Sequence, residues 1–100
     1  MLEFITTFTP ADGSAPRTIT LRISDVRPDP DGYTWSVAVD VLGFKHDDSV
    51  RLKQVDWPRA IRDATEFIIG MVADNVAQAG GGTLDPPIHP PSPPEPAKDG

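Results

Sequence analysis

The sequence predicts an α+β fold: a four-stranded antiparallel β-meander with one amphipathic helix packed on one face, followed by a disordered Pro-rich C-terminal tail. Three observations carry this prediction. Thr18 to Val41 holds two alternating segments around Pro28-Asp29-Pro30-Asp31-Gly32, the period changes to 3.6 after Asp56, and prolines crowd the end of the chain. Seven of the twelve prolines lie between Pro86 and Pro96. The domain is therefore expected over residues 1–79, with 80–100 as a Gly/Pro-rich tail.

Leu2 to Thr9 is rich in Phe, Ile and Thr, residue types that suit a pleated, half-buried surface, and reads as the first strand. Pro10 to Pro16 is a turn, with breakers at nearly every position. In the second strand Ile19, Leu21 and Ile23 face one side, and Thr18, Thr20, Arg22 and Ser24 the other. After Ser24 the parity slips at Asp25 and Val26, which predicts a bulge or the strand's end. Tyr33 to Val41 repeats the alternation, with Trp35, Val37, Val39 and Val41 inward. Val50 to Val55 follows a polar loop and places Arg51 and Lys53 on alternate positions, a pattern suited to an edge strand.

Asp56 then reads as an N-cap, with Pro58 in the first turn, where a missing N–H costs nothing. From Trp57 to about Ala79, Trp57, Ile61, Ala64, Ile68 and Val72 form an apolar stripe opposite Arg59, Arg62, Asp63, Glu66 and Asp74. Such a helix is roughly 33 Å long and an eight-residue strand roughly 26 Å, so one helix can run the full length of the sheet. Gly80-Gly81-Gly82 stops it. The Pro-x-x-Pro repeats beyond are expected to be extended, and such repeats arise in any proline-dense stretch without implying a receptor.

Composition narrows the function. Net charge is −6, and residues 1–79 alone hold eight Lys/Arg against twelve Asp/Glu. The basic footprint that phosphate-backbone binding requires is missing, so no nucleic acid is expected; excess acid favours solubility or a basic partner. With no cysteine there is neither a disulfide nor a thiolate metal site. The start lacks the basic leader and apolar block of a signal peptide, and no apolar run is long enough for a bilayer, so a cytoplasmic protein without membrane contact is expected.

Catalytic motifs are scarce. His46 with Asp48 and Ser49 is the one nucleophile-like grouping, without a nucleophile turn or an oxyanion hole, and His46 reads as a solvated loop residue. His46, Asp47 and Asp48 lack a further ligand for a metal. The three glycines follow a helix, the wrong order for a phosphate loop. A non-enzyme without cofactor is the expectation.

Meander topology brings the end of strand two, the start of strand three, the end of strand four and the helix start to one end of the sheet. Arg27, Asp29, Asp31, Tyr33, Trp57 and Arg59 are expected to cluster there, as a capped solvated rim or as a protein-binding end, since aromatics and Arg carry disproportionate energy at interfaces. Asp29-Pro30-Asp31-Gly32 also matches part of a calcium loop, without its downstream Glu. Strand–turn–strand with Asp-Gly at the turns, a fourth strand, then Val55-Asp56 leading into an Ala- and Ile-bearing helix resembles a family of small uncharacterised bacterial domains over residues 15–76. That resemblance implies a compact β-then-α domain and no activity. In composition the chain is also similar to immunity and inhibitor proteins.

Two functions are expected from this pattern. One is a non-catalytic protein-interaction module, such as an immunity or inhibitor protein, binding a basic partner. The other is an assembly role by homo-oligomerisation through the outward sheet face of Thr18, Thr20, Arg22, Ser24, Thr34, Ser36, Ala38 and Asp40.

Overall fold

The computed structural model describes residues 1–88. Five strands and one helix follow in the order β1 (Leu2–Pro10), β2 (Arg17–Pro28), β3 (Trp35–Leu42), β4 (Asp48–Gln54), α1 (Trp57–Gln78) and β5 (Gly82–Asp85). The four expected strands form the meander, and every neighbouring pair is antiparallel.

The sheet has five strands where four were expected, in the order β4-β3-β2-β1-β5. The fifth comes from the stretch predicted as tail. Gly82–Asp85 pairs with the far edge of β1, from Thr7↔Asp85 to Pro10↔Gly82, and its one apolar side chain, Leu84, packs on the core. Two backbone hydrogen bonds set its approach: Gly81 N donates to Val76 O at 2.9 Å, and Ala11 N to Gly81 O at 3.0 Å. Prolines 86 and 87 follow this strand and do not prevent it; most of the Pro-rich run, from His89 onward, lies outside the described residues.

Alternation selects the core as the sequence implies. Ile19, Leu21 and Ile23 of β2 and Val37, Val39 and Val41 of β3 are buried on one face, with Ala60, Ala64, Ile68 and Val72 of α1 laid over them. Ala60 and Ala64, the first two residues of this buried ridge, let the backbones approach closely. Burial of each larger aliphatic side chain contributes about 1.5–3 kcal/mol. Phe8 and Phe44 close one end, ring centroids 5.4 Å apart.

The predicted parity slip is a bulge. The β2–β3 register shifts between Ser24 and Arg27, with Asp25 in the left-handed region at φ 53°. Helix α1 begins as expected, with Asp56 accepting from Arg59 N at 2.8 Å and Pro58 in the first turn. One helical assignment is corrected: Trp57, placed in the inward stripe, is 54% exposed. The buried ridge runs instead through Ala60, Ala64, Ile68 and Val72, because α1 starts beyond the end of β4 and its first residue overhangs the sheet.

Candidate functional site

The β2–β3 turn and the β4–α1 junction share one end of the sheet. Pro28 pairs with Trp35, Trp35 with Gln54, and α1 starts three residues after Gln54. Lys53 Nζ lies 3.2 Å from Asp29 Oδ2, tying β4 to the turn. Gln54 Nε2 donates to Asp63 Oδ2 at 2.6 Å, tying the same strand to the second turn of the helix.

The turn is built from its own aspartates. Asp29 N donates to Thr34 O at 2.8 Å, continuing the hairpin, and Gly32 N to Asp29 O at 3.0 Å. Asp31 accepts from Tyr33 N (2.8 Å), Thr34 N (3.0 Å) and Thr34 Oγ1 (2.7 Å). These donors, the Tyr33 amide foremost, hold the Asp31 carboxyl below the ordinary aspartate value, because they stabilise its charged form. Asp29 is nearly covered, its side chain 10% exposed. The carboxylates of this calcium-loop-like sequence are engaged with the turn's own donors and, for Asp29, with Lys53 of β4, and among the described residues no group of three or more His, Cys, Asp or Glu is placed to hold a metal ion.

Of the six residues singled out by sequence, Asp29, Asp31 and Tyr33 share the turn, while Trp57 and Arg59 share the helix start. Arg59 Nε sits 3.5 Å from Asp56 Oδ2, an interaction within the cap. Arg27 faces the outward side of the sheet, opposite Ser36, with Nη1 3.6 Å from Asp25 Oδ2. The hydrogen bonds and ion pairs of Asp29 and Asp31 go to their own turn and to Lys53, and the helix N-terminus is capped by Asp56. Three large hydrophobic side chains at this end are exposed: Tyr33 by 87%, Val55 by 59% and Trp57 by 54%.

Sequence reasoning missed Arg51. It spans the outward face from β4, donating to Ser36 Oγ (2.8 Å) and Asp25 O (3.2 Å) and pairing with the Asp25 carboxylate. This clamps the bulge and explains why Ser36, expected to face solvent, is fully buried. A second row joins Glu3, Arg22 and Asp40, with Ser49 Oγ donating to Asp40 Oδ1 at 2.6 Å. The outward face, expected as a candidate assembly surface, thus carries cross-strand charge pairs from Glu3 through Arg22 to Asp40 and from Arg51 to Asp25. Ser49 is held by Asp40, while His46 is exposed in the β3–β4 loop.

No helix among the described residues is long and apolar enough to cross a membrane. The fold and this end together define the class: a small antiparallel-sheet domain with one covering helix and an aromatic-bearing rim. No family model matches the chain, and neither curated proteins nor solved structures yield a match.

Proposed function

We propose that this chain is a non-catalytic protein-interaction module, of the kind represented by immunity and inhibitor proteins, whose partner docks on the end formed by the Asp29–Thr34 turn and the Val55–Arg59 junction. The observation that carries this reading is the exposure of Tyr33 and Trp57 at the same end of the sheet. Neither aromatic contributes to the buried core, and Tyr and Trp are the residue types that most often dominate binding energy when a partner covers them. The surface beneath is already ordered: Asp31 fixes the turn and Asp56 the helix start, so little conformational freedom is lost on docking.

The net charge of −6 favours a basic partner. At the docking end itself, Asp29 is paired with Lys53 and Asp56 with Arg59, so charge steers the approach while the aromatics hold the contact. Affinity capture from the native cell on the immobilised full chain tests the reading. A protein retained by the natural chain should be lost with Tyr33→Ala and with Trp57→Ala, each weakening binding by about 30-fold for a side chain worth about 2 kcal/mol. Retention of the same proteins by both variants would rule this end out.

A further inference from the structure

Helix α1 packs chiefly on β3 and also on β4 and β2. A five-stranded sheet is roughly 19 Å across and a helix roughly 10 Å wide, so about half of the apolar face needs another cover. In this structure residues 86–88, which follow β5, contribute to it. After β5, Thr6 Oγ1 donates to Pro86 O at 2.6 Å, which turns the chain in over the sheet, and Ile88 packs against the core. Ile88 and Ile69 line both of the depressions that flank this crossing, of about 420 and 470 Å³, one running toward Leu2 and Phe4, the other toward Val76 and Leu84.

We propose that this arm, Gly82–Ile88, exchanges between two copies of the chain, each arm adding the fifth strand and the apolar cover to the other copy's sheet. Three features point to exchange. Among the described residues the arm is held by four residue pairs along one edge of β1, two apolar side chains and one side-chain hydrogen bond. It hangs from α1 on Gly80, Gly81 and Gly82, all at positive φ, and a short hinge between packed elements is where swapping occurs. Among the described residues β5 pairs with four of the nine residues of β1, and Leu2 to Ile5 have no strand partner on that edge. A second copy is the occupant because its arm is the peptide whose fit to this edge the fold already displays.

The chain has no cysteine, and Thr9 lies opposite Thr83 across the β1–β5 pair with both exposed, so two single variants report exchange directly. Full-length Thr9→Cys and Thr83→Cys are mixed, incubated from about 10 µM to about 1 mM, oxidised, and resolved without reductant. An arm seated on another copy favours the mixed disulfide over the like-with-like ones that random collision also gives, and the fraction of chain in the Thr9→Cys–Thr83→Cys product should grow about tenfold for each tenfold rise in concentration while monomer predominates, as mass action requires. Removing Gly80 and Gly81 from both chains should make the mixed product predominant even at 10 µM, because the shortened hinge cannot return the arm to its own sheet. Absence of the mixed product at 1 mM overturns the proposal, as does a hinge-shortened chain that remains monomeric, or association that yields only like-with-like disulfides.

Discussion

Gly43→Ala is the substitution whose cost the structure fixes most closely. Gly43 leaves β3 at φ +105°, with its N–H donated to Asp47 Oδ1 at 2.9 Å. A Cβ here would stand 2.1 Å from Thr18 O and 3.1 Å from Ile19 Cα. Both obstacles are backbone of β2, so no side chain can swing aside. Reaching an ordinary contact of 3.4 Å requires a shift of about 1.3 Å at a strand whose Ile19 is completely buried. The left-handed backbone costs alanine about 1–2 kcal/mol, and forced movement of a packed segment adds about 1–3 kcal/mol. Gly13→Ala is the matched control: its φ is +85° and nothing lies within 4 Å, so it incurs only the backbone term. Both substitutions restrict the unfolded chain equally, and that contribution cancels between them. Urea unfolding followed by tryptophan fluorescence should place the Gly43→Ala midpoint about 1–3 M below that of Gly13→Ala, for a slope near 1 kcal/mol/M. Equal midpoints would refute the close approach of the β3–β4 loop to β2.

Two further outcomes follow from the Asp29–Thr34 turn and the helix cap. Asp56→Ala removes the acceptor for Arg59 N and should lower stability by about 1 kcal/mol, read from the same unfolding curves, with the loss expressed as fraying of the first turn of α1 in amide exchange. Asp31 has a folded-state pKa below the ordinary 3.8, so the folded chain binds fewer protons than the unfolded one and the carboxylate's contribution is present above that value. It is lost as pH falls through the range below 3.8, where the natural chain should converge in stability with Asp31→Asn; a gap between the two that stays constant from pH 6 to pH 3 would contradict the hydrogen bonding of the turn.

Most of this fold is legible in the sequence because its elements are one-sided. Val37, Val39 and Val41 can alternate with polar neighbours only on a strand with one dry face, and the slip at Asp25 announces the bulge for the same reason. β5 is not legible: Gly-Thr-Leu-Asp offers one apolar residue and no period, and it becomes a strand because β1 presents a free edge and the glycine link after α1 delivers the chain there. Ser36 reads as solvent-facing from parity alone, since its cover, Arg51, comes from another strand 15 residues away. Meander order was enough to bring Tyr33 and Trp57 to one end of the sheet. The pairing of Asp29 with Lys53 depends on side-chain geometry that spacing does not specify.

The proposal places a partner on the end that carries Tyr33 and Trp57. Amide hydrogen exchange, comparing the free full-length chain with the same chain bound to its captured partner, tests it most directly. Protection should appear in the Asp29–Thr34 turn and the Val55–Arg59 junction, with the outward face of Glu3, Arg22 and Asp40 unchanged. Protection confined to that outward face, or to β1 and β5, would place the partner elsewhere and overturn the proposal.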